Sequence, residues 1–321
     1  MLIALGAALL LVMVLYVAWG TVMISPVQAL REMFAGPTGS PLNNILWQIR
    51  LPRAIGTLCV GALLSTVGCA FQGLLRNPLA DPFVVGVSSG SALGGVAAML
   101  LGWSYALGGL AMPLVGFAGG MLALLLALAF SRSNGSVDVK NLLLAGVATG
   151  SLLSALLSLS LLWSGHDTNE LLQWLLGDTS HLRWSQVGLL AVVLVIGAIL
   201  LIRQSRVLNA FALGEETAMR LGVDTRKLKP LVFVTGAAMT AVAVSLVGII
   251  GFVGLVAPHI ARRLVGTDWR RSLPASTLVG GLLLLLADLL AQRLVQPLEL
   301  PLGVVTAIAG APVLLVLLRK P

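Results

Sequence analysis

The sequence predicts an all-α polytopic membrane protein, and three observations carry that prediction. Of 321 residues, 58% are hydrophobic and only 10% charged, whereas soluble domains average about 45–50% apolar and about 25% charged. The apolar residues gather in long runs such as Met1–Ile24 and Leu189–Ile202, and an α-helix needs about 20 such residues to cross a bilayer. Gly281–Ala287 is leucine throughout between its ends, without the polar–apolar alternation of a transmembrane β-strand. A soluble enzyme of one or two globular domains is excluded. Residues 1–321 read as a single membrane domain, because no loop is long enough to hold another.

Taking hydropathy minima as loops, about ten spans are expected. The first, 2–24, has no Lys or Arg before Arg31 and no small-x-small cleavage site, so it is expected to be an uncleaved span. The second, 52–74, opens with Arg50-Leu51-Pro52-Arg53, a proline that a first helical turn tolerates. Spans follow at 84–102, 108–130 and 141–163, the last with Ser151, Ser154, Ser158 and Ser160 among leucines. Three more are expected at 186–203, 230–248 and 250–264, and the final pair at 273–293 and 302–318. Gly or Pro interrupts the second, third and eighth. The pairs Gly94-Gly95, Gly119-Gly120 and Gly280-Gly281 read as close helix packing, because small residues let transmembrane backbones approach.

With the N-terminus inside, 15 basic residues fall in cytoplasmic loops and 5 outside: Arg31, Arg50, Arg53, Arg183 and Arg293. Cytoplasmic loops collect Lys and Arg, so the net charge of +8 reports topology rather than nucleic-acid binding. The chain is expected to be multi-pass, with both termini cytoplasmic.

Candidate chemistry is sparse. Asp288, in Leu-Ala-Asp-Leu-Leu, is the one acid clearly inside an expected span. A proton relay needs partners at similar depth; with none apparent, Asp288 reads as a structural hydrogen-bonding group. His166 and His181 fall in an outer loop and His259 near the inner end of a span; either outer histidine is a candidate for transient contact with haem iron. Neither His-Glu-x-x-His nor a Walker-type phosphate loop occurs. No catalytic residue, cofactor site or metal site is assigned. Cys59 and Cys69 stand ten residues apart on one expected helix, about 15 Å at 1.5 Å per residue, beyond the roughly 7 Å limit for a disulfide.

Two regions point to partners. Val207–Arg226 reads as a knuckle of two short helices outside the membrane. Leu208–Leu213 reaches Gly214, and a second helix starts at Glu215-Glu216, where carboxylates suit a helix N-terminus, and closes at Gly222. Apolar faces outside the bilayer need something to bury them, either the chain's own bundle or a cytoplasmic partner that docks on the knuckle. On the outer side, Arg50, Arg53 and Arg293 can each snorkel at the membrane surface or, together, form ion pairs with an acidic docking protein.

RLPRAIGTLCVGALLSTVGCAFQGLLRNPLADPFVVGVSSG (Arg50–Gly90), ALGEETAMRLGV (Ala212–Val223), GFVGLVAPHIARRLVG (Gly251–Gly266) and ELPLGVVTAIAGAPVLLVLL (Glu299–Leu318) resemble the FecCD-type permeases. These are the membrane subunits of ABC importers for iron–siderophore chelates, haem and cobalamin. The resemblance runs in unbroken order from about Arg50 to the C-terminus. It implies a ten-helix bundle that works as a homodimer, or paired with a similar subunit, about a central pathway. It further implies two cytoplasmic ATPase subunits, which hold ATP and Mg, one periplasmic binding protein, and a place in the bacterial inner membrane.

By the same resemblance, Leu213, Gly214, Glu215, Ala218, Leu221 and Gly222 match the ATPase-coupling helices. Arg50, Arg53 and Arg293 match positions that pair with the binding protein. Asn77 and Leu79, with Val139 and Lys140, fall where the cytoplasmic gate lies. Ser151, Ser154 and Ser158 are the expected pathway wall, although each serine can equally bond its own helix backbone. The family prior orders the substrates as ferric siderophore, then haem, then cobalamin. Two other classes stand against this reading. An ion-coupled secondary transporter would work without an ATPase and centre on Asp288. A membrane-embedded enzyme would need clustered catalytic side chains.

Overall fold

A computed structural model of the chain describes residues 1–19, 24–103, 106–133, 136–164, 168–295 and 298–318. The first helices are α1 (Leu2–Ala18), α2 (Pro26–Ala35) and α3 (Pro41–Asn44), which runs through a π-helical stretch, Ile45–Arg50, into α4 (Leu51–Leu75). Next come α5 (Val87–Leu100), the short turn α6 (Ala106–Gly109), α7 (Ala111–Ser131), α8 (Val139–Trp163) and α9 (Thr168–Leu175). The chain continues through α10 (Trp184–Arg203), α11 (Ser205–Ala212), α12 (Glu215–Arg220) and α13 (Thr225–Val247). It closes with α14 (Val253–Val265), α15 (Trp269–Ala291) and α16 (Leu302–Leu318). A two-residue antiparallel pair, Arg132–Ser133 with Ser136–Val137, precedes α8.

Each of the ten expected segments holds a helix, but length sorts them. Six helical segments among the described residues are long and apolar enough to cross a membrane: Pro41–Leu75, α7, α8, α10, α13 and α15. The apolar helices α1, α5 and the stretch Leu302–Val316 are shorter, and α14 has 13 residues. Two boundaries differ from the sequence expectation for one reason. The spans expected from 230 and 273 begin several residues earlier, at Thr225 and Trp269. The Asp224 and Asp268 side chains there accept from the backbone N–H groups of Arg226 and Arg270 and cap the helices. Pro230 and Pro274 then lie inside helices rather than starting them. The third span starts late, at Val87, because Gly86 takes a left-handed φ of 77° after the 3-10 turn Pro82–Val85.

α4 is the central post, packed by α10, α13, α14 and α15. Its glycines set the approach. A Cβ at Gly61 would strike the Gly280 carbonyl on α15, and one at Gly68 would strike the Gly254 carbonyl on α14. α5 and α7 close on each other in the same way through Gly90 and Gly119. The expected packing role of the glycine pairs thus holds, and Gly95 adds a seat for the Trp174 ring. α8 is the opposite of α4: 89% of the apolar window of Pro41–Leu75 is buried, against 11% of that of α8.

The bundle has two distinct ends. One, here the knuckle end, gathers α11, α12, the C-terminus of α4 and the N-termini of α8, α13 and α15. The far end gathers Arg50, Arg53, Thr179, Asp288 and Gln292. Arg319 and Lys320, two of the basic residues assigned to the cytoplasm, lie outside the described residues.

Candidate functional site

At the knuckle, α11 turns its apolar face inward, with Leu208 and Phe211 buried. Asn209 fastens it to the start of α15: its amide donates to Asp268 Oδ1 (2.7 Å) and its carbonyl oxygen accepts from the Trp269 N–H (3.1 Å). Gly214, at φ 119°, reverses the chain into α12, and Gly222, at φ 84°, leaves it, conformations that cost a Cβ-bearing residue. Leu213, Met219 and Leu221 are 69%, 49% and 63% exposed, so the tip is an apolar surface outside the bundle. Of the six residues expected to meet a partner, one faces inward and a second is half-exposed and tied to the bundle. Ala218 is fully buried. Glu215 forms an ion pair with Lys229 on α13 at 2.6 Å. Met219 joins the exposed set; the knuckle motif contained it, but spacing alone did not select it.

The other expected inner residues sit nearby without converging. Arg76, at a left-handed φ of 49°, ends α4. Asn77 Oδ1 accepts from the Leu79 N–H at 2.9 Å, and both residues are exposed. Burial pushes the Asp81 carboxyl up to about 6, against the lowering effect of the hydrogen bond from the Phe83 N–H. Asp138 caps α8 by accepting from the Asn141 N–H (3.0 Å), which leaves Val139 half-buried and Lys140 exposed. The two segments meet further in, where Gly146 packs on Val84 and Val85.

At the far end the arginines do not stand as open docking groups. Arg53 donates through Nε and Nη2 to the two oxygens of Asp288 (3.0 and 2.9 Å) and through Nη1 to Glu299 (2.9 Å). Arg50 is buried and donates to the Val17 carbonyl at 2.8 Å. Arg293 is half-buried and near enough to Arg50 for their charges to interact. The physical reason is Asp288: 1% exposed, it draws the nearest guanidinium inward and also accepts from Tyr16, Thr179 (3.2 Å) and Gln292 (3.0 Å). These partners join α1, α4, α15 and the loop after α9. The structural reading of Asp288 holds, and sequence periodicity had no means of assigning it Tyr16 or Thr179.

On α8, Ser151, Ser154 and Ser158 lie on one open face. Ser154 bonds Ser89 of α5 (3.0 Å), while Ser158 and Ser160 return their hydroxyls to the carbonyls of Ser154 and Leu156 (both 2.9 Å), satisfying themselves within the helix. Of the outer histidines, His166 lies outside the described residues. His181 is exposed and pairs with Asp178 at 3.0 Å. Burial pushes Asp178 up, but hydrogen bonds from His181 and Ser180 outweigh it and hold the carboxyl at about 2. The same bond raises His181. Among the described residues no cluster of three His, Cys, Asp or Glu forms a metal site. Cys59 and Cys69 are free and buried.

Residues 8–320 match the family model for the FecCD transport family. The chain belongs to the FecCD transport family. It is similar to the uncharacterized ABC transporter permease protein YvrB of Bacillus subtilis, 44% identical over 293 residues, covering 89% of this chain and 83% of that one. It is 42% identical over 298 residues to the cobalamin import system permease protein BtuC of Halobacterium salinarum, covering 92% and 79%. A structure described as an inward-facing metal-chelate type ABC transporter superposes with a TM-score of 0.89 at 32% identity, over 100% of this chain and 99% of that one. This FecCD-family chain is therefore a membrane permease of an ABC importer, a class that works with an ATPase and a substrate-binding partner.

Proposed function

We propose that two copies of this permease form the pathway of an ATP-driven importer that moves a cobalamin-class chelate from a periplasmic binding protein into the cytoplasm. The observation that carries the substrate is the 42% identity, along 92% of the chain, to a permease named for cobalamin import. It moves cobalamin ahead of the ferric siderophores and haem that the family prior placed first. The knuckle end faces the cytoplasm with both termini, because cytoplasmic loops collect Lys and Arg and Arg76, Lys140, Arg203, Arg206, Arg220, Arg226, Lys227 and Arg262 all lie there.

Leu213, Met219 and Leu221 insert into a cleft of the ATPase subunit, held in place by Gly214, Gly222 and the buried Ala218. ATP and Mg sit on that partner, so the membrane subunit needs no charge relay of its own. Closure of the ATPase pair moves the two knuckles, and rigid helices pass the movement to constrictions formed by the segments around Asn77, Leu79, Val139 and Lys140, which gives two discrete states. The open face of α8 with Ser151, Ser154 and Ser158 lines the pathway. At the far end an acidic side chain of the binding protein competes with the exposed Glu299 for Arg53, while the neighbouring charges of Arg50 and Arg293 draw acidic groups to the same mouth.

The test is uptake by proteoliposomes holding the chain with its ATPase and binding protein, offered cyanocobalamin, haem or a ferric siderophore. Cyanocobalamin uptake that requires ATP and both partners is expected. Uptake of one of the others replaces the substrate and keeps the mechanism. Uptake by the chain alone under an ion gradient overturns both.

A further inference from the structure

We propose that Lys229 is the positioning residue that carries knuckle movement to the start of α8. The inference rests on reading the knuckle as the ATPase-coupling element. Lys229, on the first turns of α13, is buried, and its ammonium has two partners from different parts of the chain. Glu215 Oε1, on the first residue of α12, lies at 2.6 Å, and the Val137 carbonyl, 92 residues away in sequence, accepts from it at 3.1 Å. One charged group therefore ties the knuckle, the core helix α13 and the segment leading into α8.

The chemistry makes this tie directional. A buried ammonium separated from its carboxylate is left as an uncompensated charge, a costly state, so Lys229 follows Glu215 when α12 is displaced. The flexible four-carbon stem allows that excursion. The Val137 carbonyl then keeps or loses its donor according to the position of the knuckle. Val137 pairs with Arg132 in the short antiparallel pair and immediately precedes Asp138, whose side chain caps α8. A shift there acts directly on Val139 and Lys140. The remainder of α13 packs into the core against α4, α5, α7 and α10, so the lysine head moves while its helix stays.

The experiment uses the full complex in lipid nanodiscs, with Lys140→Cys as an exposed reporter; Cys59 and Cys69 are buried and do not compete for a thiol reagent. The labelling rate is measured with and without ATP, Mg and vanadate, beside the ATPase rate and co-purification of the ATPase. The parent should change its labelling rate at least fivefold with nucleotide. Lys229→Met should keep the ATPase bound and its rate within twofold while losing that change, and Lys229→Arg, which retains the donors, should restore it. Glu215→Gln, half-exposed and gentler on folding, should lose most of the change on its own. A full nucleotide response in assembled Lys229→Met or Glu215→Gln complexes overturns the proposal, and so does a parent with no response. Failure of the underlying coupling reading has a different signature: Leu221→Asp would leave ATPase association unchanged.

Discussion

Asp288 is one carboxylate inside an apolar helix, and its surroundings decide what it does. Four side chains donate to it, and two of the bonds come from the single guanidinium of Arg53. A buried charge that loses its partner costs about 3–5 kcal/mol, whereas exchanging both members for apolar groups is close to neutral. Arg53→Met should therefore lower the thermal unfolding midpoint in detergent by several degrees. The double variant Arg53→Met/Asp288→Leu should recover much of the loss. A double variant no more stable than the single one would mean that Asp288 is not held chiefly by Arg53. The residue types here were plain in the sequence, and so was the isolation of Asp288 among leucines. Its partners come from positions 16, 53, 179 and 292, and no local pattern relates them. The same holds for Lys229: the last basic residue of Arg226-Lys227-Leu228-Lys229 looks like the edge of a span until the fold brings Glu215 and Val137 to it.

The helices assemble by backbone approach. Lipid offers little hydrophobic drive for helix association, so small residues and close packing carry it. Gly68 lies against the Gly254 carbonyl with no room for a methyl group, whereas Gly188 on α10 has open space around its Cα. Overpacking typically costs about 1–3 kcal/mol, and here a carbonyl rather than a mobile side chain blocks the way. Gly68→Ala should fall at the upper end of that range or fail to accumulate in the membrane, while Gly188→Ala should match the parent in yield and melting point. Equal behaviour of the two variants would remove glycine packing as the organising contact of α4. Helix positions were largely legible, because apolar runs and Gly or Pro breaks are local. Their starts were less so: Asp224 and Asp268 cap helices that continue through Pro230 and Pro274, and the prolines hid those caps.

In the whole molecule, α4 is enclosed and α8 is bare. α8 leans on α5 and α7 along the line of Leu142 and Gly146 and presents both a leucine face and a serine-bearing face outward. Lipid suits the leucines, and the proposed pathway between two copies takes the face with Ser151, Ser154 and Ser158. Cysteine at Ser151 should then be joined to its counterpart by a flexible bismaleimide in native membranes, whereas cysteine at the exposed Val195 on α10 should not. Absence of any Ser151 cross-link would argue against the proposal that α8 faces a second copy.

Composition and run length alone determined the membrane class and the helix order, since hydropathy is a local sum over about 20 residues. Ordered motifs along the chain determined the family and marked the knuckle. Tertiary structure alone decided which motif residues face outward. It turned Ala218 in, paired the half-exposed Glu215 with Lys229, left Leu213, Met219 and Leu221 out, closed Arg53 onto Asp288 and tied Lys229 to two distant segments. Which face a side chain presents, and what meets it there, is a property of packing between remote parts of the chain, and a one-dimensional pattern carries no record of it.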